Sequence, residues 1–121
     1  MRKYVRSAMY ALEGIAFAVK TQRNFRFHCF AAIIVAALGI WLSISPAQWC
    51  LIILSIGIVM SAELVNTAIE QAVNLASPDV HPIAKAAKDT AAAAVTVAAL
   101  AAAGIGCIVF GPPLWRLLFA S

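Results

Sequence analysis

Three long apolar stretches dominate a chain of only 121 residues. They run from about Cys29 to Ile44, from Trp49 to about Ala62 with a more polar continuation to Ala76, and from about Ala91 to Phe110. Crossing the hydrocarbon of a bilayer takes roughly 20 mostly apolar residues. In that medium the backbone must satisfy its own hydrogen bonds, so each stretch is expected to be a helix. The first is slightly short and the second long, which tilt and partial exposure accommodate. Composition agrees. Apolar residues make up 64% of the chain and charged residues 12%, about half the charge of a typical soluble domain. So short a chain cannot hide that much apolar surface in a water-soluble core. The expected fold is an all-α membrane protein forming one domain over residues 1–121, with transmembrane helices at about 28–45, 49–76 and 89–110.

The connections read as short. Ser45-Pro46-Ala47-Gln48 reads as a tight turn, Ser77 to Pro82 as a loop broken by two prolines, and Gly111-Pro112-Pro113 as the end of the third helix. No internal repeat is evident. Eight of the nine Lys and Arg residues precede the first span or lie between the second and third, and only Arg116 follows the third. The positive-inside rule therefore predicts a cytoplasmic N-terminus and 77–90 loop and an outside C-terminus. Trp41, Trp49 and Trp115 fall near the outer interface, as an aromatic belt would. The net charge of +4 is thus explained by topology and needs no nucleic-acid partner. The N-terminus lacks the apolar core and small-residue site of a cleavable signal peptide. Cys29, Cys50 and Cys107 lack metal-ligand spacing and read as small buried apolar residues.

Residues 2–21 differ in kind. On a helical wheel Tyr4, Val5, Ala8, Leu12, Ile15, Ala16 and Val19 share one face, and Arg2, Lys3, Arg6, Glu13 and Lys20 another. That pattern predicts an amphipathic helix lying on the inner leaflet, as an anchor, as one wall of a site, or as both.

The acidic residues carry the chemistry. Glu63, Asn66, Glu70 and Asn74 fall within an arc of roughly 80° on a helix, with Thr67 on its edge. Ionisable groups at membrane depth cost several kcal/mol unless paired or hydrated, so a span does not carry such a stripe without a use. The deeper carboxylate can take a proton from a lipid alcohol. The one nearer water can hold a divalent cation through a hard oxygen. The competing reading is a polar seam that glues helices together, for which two unpaired acids are more than is needed. At the start of the third span, Lys85, Lys88 and Asp89 sit where a helix N-terminus attracts phosphate. The lysines alone would be ordinary snorkelling residues; Asp89 at the boundary is harder to dismiss. His81, in the Pro-bounded loop, is a candidate nucleotide contact, whereas His28 reads as an interfacial residue. The chain has neither a Walker-type glycine loop nor protein-kinase signatures, so any phosphoryl transfer would rest on metal, lysine and positioning.

The run Glu63-Leu-Val-Asn66-Thr-Ala-Ile-Glu70, followed by Ala-Lys88-Asp89, resembles the prokaryotic diacylglycerol kinase family, which includes the undecaprenol kinases of Gram-positive bacteria. The likeness spans nearly the whole chain, taking in Gly14 of the basic helix, Asn24-Phe25-Arg26, and the Ser77-Pro78…His81-Pro82 loop. It implies a homotrimer in the bacterial inner membrane with active sites shared between subunits at the cytoplasmic interface, phosphorylating diacylglycerol or undecaprenol with ATP. By that resemblance Glu63 is the general base, Glu70 a ligand of the Mg2+ bound to ATP, Asn66 a polar partner ordering the site, and Lys88 and Asp89 phosphate contacts. Lys3 and Tyr10 match positions that close over the nucleotide, and Asp79 and His81 match the loop beside it. Two departures stand out. Many members carry Glu, a second metal ligand, at Gln22, and Asp at Asn74. Both changes remove negative charge near the nucleotide, which implies a working kinase with altered metal affinity.

Two other classes fit the same composition. A small oligomeric channel or transporter subunit would line a pore with its acids, but Glu63 and Glu70 both lie toward one leaflet and the third span has no acid to continue the path. A structural relative that has lost activity would differ by failing to bind ATP.

Overall fold

The computed structural model describes residues 1–120. It is all-helical: α1 (Arg2–Thr21), α2 (Arg23–Trp41), α3 (Pro46–Ala76) and α4 (Pro82–Phe119). The last three are long and apolar enough to cross a membrane.

A single residue, Gln22, separates α1 from α2, its backbone extended at φ −112°, ψ 109°. Neither Gly nor Pro marks this break. It is held by Arg26, whose Nη1 reaches back to donate to the carbonyls of Val19 (2.8 Å) and Lys20 (3.3 Å). Those carbonyls belong to the last turn of α1, where helical partners have run out. The first span-forming helix accordingly begins at Arg23, five residues before the expected start at 28, and buries Phe25 just inside.

That helix also ends early, at Trp41 rather than 45. Ser43 adopts a left-handed φ of 51°. Ser43 N–H donates to the Ile40 carbonyl and Ile44 N–H to the Gly39 carbonyl, each at 3.2 Å, the paired bonds of a Schellman motif. Ile44 then folds back on Gly39. The supposed turn at Ser45–Gln48 is instead the start of α3. Ser45 Oγ accepts from Gln48 N–H (3.2 Å) and Gln48 Oε1 accepts from Ser45 N–H (2.9 Å), a reciprocal capping box with Pro46 in the first turn.

Ile44, Ile52, Val109 and Phe110 form a buried cluster that ties the end of α2 and the start of α3 to the far part of α4. Trp49 packs against it, while Trp41 and Trp115 stay exposed. α4 does not stop at Gly111-Pro112-Pro113 but runs through both prolines to Phe119. The prolines remove two donors from the ladder, yet their fixed φ also suits the first turn of a helix. Burial of Val109 and Phe110 before them, and the Trp115–Phe119 ring contact at 4.4 Å after them, accompany the continuation. Cys50 and Cys107 lie exposed on the single chain and Cys29 is half-buried, so the cysteines are not the buried residues expected from sequence. All three are free thiols.

Candidate functional site

The opposite end of the bundle carries the polar residues. α3 continues past its apolar part for four more turns, and one face of those turns presents Glu63, Asn66, Glu70 and Asn74. Glu63 is 2% exposed and Asn66 9%. Glu70 is half-buried and Asn74 exposed, so the stripe runs from a dry interior toward water. Asn66 Nδ2 donates to Glu70 Oε1 at 3.4 Å, and Thr67 spends its hydroxyl on the Glu63 carbonyl. Two acceptors in the stripe, Glu63 Oε1 and Asn66 Oδ1, are buried without a hydrogen bond. The two lie three residues apart on one face, and of them Asn66 Oδ1 has no polar partner among the described residues.

Glu63 is not the isolated acid its sequence context suggests. His28, one turn into α2, brings Nε2 to 3.2 Å from Glu63 Oε1. The distance is that of an ion pair, but the N–H is not aligned as a hydrogen bond onto that oxygen. His28, read from sequence as an interfacial residue, also makes this contact. The signal that could have found it is depth: His28 and Glu63 lie at the same end of antiparallel neighbouring helices.

Beyond the stripe, the α3–α4 loop folds round a cavity of about 260 Å³. Asn74, Asp79, His81, Lys88 and Asp89 all line it. Five of the predicted nucleotide residues are thus gathered in one place, contiguous with the stripe through Asn74. His81 Nδ1 accepts from Ile83 N–H at 3.1 Å, capping α4. Its Nδ1 is therefore committed to the helix start. Lys85 Nζ is paired with Asp89 across one turn, which explains how an Asp is tolerated at the boundary and leaves Lys88 as the half-buried cation of the cavity.

Three predicted residues stand apart. Lys3 and Tyr10 are exposed on α1, Tyr10 in a separate shallow groove near the chain start. Gln22 is half-buried at the α1–α2 joint, its amide nitrogen donating to Thr21 Oγ1 at 3.3 Å. Among the described residues no three His, Cys, Asp or Glu side chains cluster as a metal cage. The available donors, the Glu70 carboxylate and the orphaned Asn66 Oδ1, are hard oxygens. They fit Mg2+, which usually takes one or two carboxylates and completes its shell with water and phosphate.

An apolar cavity of about 330 Å³ opens between α2, α3 and α4, and His28, the neighbour of Glu63, lines it. His28 and Ser55 are its only polar lining residues, and Ser55 Oγ is bonded to the Leu51 carbonyl at 2.7 Å.

Residues 9–110 match the prokaryotic diacylglycerol kinase family. The chain is 43% identical over 114 residues to the undecaprenol kinase of Bacillus subtilis, covering 94% of this chain and 93% of that one. It is 40% identical over 113 residues to a diacylglycerol kinase of Synechocystis, covering 93% of this chain and 65% of the relative. With the diacylglycerol kinase of Haemophilus influenzae it shares 35% identity over 94 residues, 78% of this chain and 80% of the relative. A bundle of three long apolar helices with a buried carboxylate on a polar stripe, matched over most of its length to these enzymes, belongs to the prokaryotic diacylglycerol kinase family and is a lipid kinase.

Proposed function

We propose that this lipid kinase transfers the γ-phosphoryl of ATP to the primary hydroxyl of a membrane lipid alcohol, with Glu63 as general base. The observation that carries the reading is the burial of the Glu63 carboxylate beside His28, which itself lines the apolar cavity, and on one helix face with the orphaned Asn66 Oδ1. An acceptor entering from the bilayer keeps its hydrocarbon in the apolar cavity and brings its hydroxyl to Glu63. ATP enters from water and lays its phosphates near Lys88, whose charge favours them at the α4 N-terminus. The lipid oxygen attacks the γ-phosphorus, the bond to the β-phosphate oxygen breaks, ADP leaves, and the hydroxyl proton passes to Glu63.

Glu70 and Asn66 are the residues suited to hold Mg2+, which when bound offsets charge on the phosphates. Gln22 supplies an oxygen without charge, so the loading of that ion rests mainly on Glu70 and the nucleotide. Asn74, Asp79, His81 and Asp89 shape the nucleotide side of the site. Lys3 and Tyr10 lie on an amphipathic surface helix and are assigned to closure over the nucleotide; their separation from the loop cavity within one chain supports a homotrimer in which neighbours complete each site. The eight-to-one bias of Lys and Arg supports a cytoplasmic N-terminus and active site, an outside C-terminus, and residence in the bacterial inner membrane. A non-catalytic channel remains the alternative class, disfavoured by acids confined to one end of the bundle.

The test is transfer of labelled γ-phosphate from ATP to undecaprenol and, in parallel, to diacylglycerol in mixed micelles with Mg2+. The name of the B. subtilis relative makes undecaprenol the first acceptor to try. Product that vanishes in Glu63→Gln, with folding intact, is the expected result, since general-base catalysis contributes roughly 10²–10⁴-fold. Substantial turnover by Glu63→Gln would sink the assignment of the base.

A further inference from the structure

Glu63 needs more than a place on α3 to act as a base. A Glu side chain has three rotatable bonds, and in a dry setting nothing from water fixes which oxygen faces the acceptor. The structure supplies a fixing group from a different helix. Phe25, 2% exposed, seats the first turn of α2, and the Arg26 clamp onto Val19 and Lys20 holds that turn against α1. Three residues after Phe25, His28 is carried to the α3 side, with Nε2 3.2 Å from Glu63 Oε1. The side chains are 19% and 3% exposed. The same imidazole borders the apolar cavity, where it is the one polar lining group not already spent on its own helix.

We propose that His28 is a positioning residue for Glu63. Its imidazole secures Oε1, shares the charge of the carboxylate in a setting where an unpartnered charge is costly, and leaves the other carboxylate oxygen to meet the hydroxyl of an acceptor arriving along the cavity. This inference rests on Glu63 being the base.

The test uses the full chain in mixed micelles with ATP, Mg2+ and whichever lipid alcohol is the better acceptor. His28→Leu removes the polar contact. His28→Gln can return an amide N–H to about the place of Nε2. His28→Asn keeps polarity, but its amide is too short to reach Oε1. The expected result is a fall in kcat of about ten- to hundredfold in the Leu and Asn variants with KM for ATP unchanged, and recovery of most of kcat in the Gln variant. Adding His28→Leu to Glu63→Gln should cause no further loss, because a residue acting through Glu63 has nothing left to act on. Infrared difference spectra against Glu63→Gln isolate the Glu63 carboxyl band, which should move in His28→Asn whatever the activity.

Wild-type kcat in His28→Asn, or an unmoved Glu63 band, overturns the proposal, and both readouts remain open if the Leu variant does not fold. Loss in Glu63→Gln with no loss in the His28 variants rejects the positioning role alone. Full activity in Glu63→Gln rejects the base, and the positioning role with it.

Discussion

Gly39 is where the geometry permits a worked prediction. A Cβ added there would lie 2.8 Å from Cη2 and 3.0 Å from Cζ2 of Trp49, and 3.1 Å from Cδ1 of Ile44. Ordinary contact begins near 3.4 Å, so the indole would have to retreat by about 0.6 Å in a close-packed region. Its retreat is opposed by the buried Ile44–Ile52–Val109–Phe110 cluster against which Trp49 packs. Overpacking of this kind costs about 1–3 kcal/mol, while replacing a helical Gly by Ala returns about 0.5–1 kcal/mol. Gly39→Ala should therefore destabilise by about 0–2.5 kcal/mol, the midpoint lying near 1 kcal/mol. Gly57 supplies the control, since a Cβ there meets nothing within 4 Å. Gly57→Ala should stabilise by about 0.5–1 kcal/mol. The assay is reversible unfolding by SDS titrated into mixed micelles, followed by tryptophan fluorescence. A Gly39→Ala protein as stable as Gly57→Ala would refute the claim that this close approach fixes the α2–α3 corner.

Two further outcomes follow from local chemistry. Ser43→Gly should raise stability by about 1 kcal/mol in the same titration, because the Schellman position holds a left-handed φ of 51° that only Gly adopts without strain. Asn66→Leu separates a ligand group from a packing group. Losing the carboxamide relieves one unsatisfied buried oxygen but also takes the Nδ2 donor from Glu70, so stability should change by no more than about 1 kcal/mol, while phosphoryl transfer falls by about ten- to hundredfold if Asn66 Oδ1 serves the reacting complex; unaltered turnover would remove Asn66 from the site.

Much of the bundle is written in local pattern. The three apolar stretches, the polar stripe and the loop between α3 and α4 are each properties of one contiguous segment, and each is found where its periodicity or punctuation indicates. The errors have a common origin in signals that lack their usual residue. The Gln22 break has neither Gly nor Pro, and depends on a guanidinium four residues later. The end of α2 uses Ser where Gly is usual. The Ser45–Gln48 capping box is spelled S-x-x-Q, but Pro46 within it is equally a turn signal, so the local pattern is ambiguous. The prolines at 112 and 113 are normally terminators, and only packing on either side shows why α4 continues. Within the site, Glu63, Asn66 and Glu70 are one helix face and so could be read in advance. The His28–Glu63 contact joins residues 35 positions apart, and no single-segment pattern encodes it. Lys85–Asp89 has the familiar one-turn spacing and was open to inference.

The one-residue joint at Gln22 has a mechanical consequence. Only two soft backbone dihedrals lie between α1 and α2, and the Arg26 clamp spans both sides of them. The twenty residues of α1 make an arm about 30 Å long. If the joint holds its angle, a 10° change in the tilt of α2 sweeps the free end of that arm, where Lys3 sits, through about 5 Å. With so short and so tightly clamped a joint, the direction of α2 and the position of Lys3 are not independent: whatever fixes one of them constrains the other.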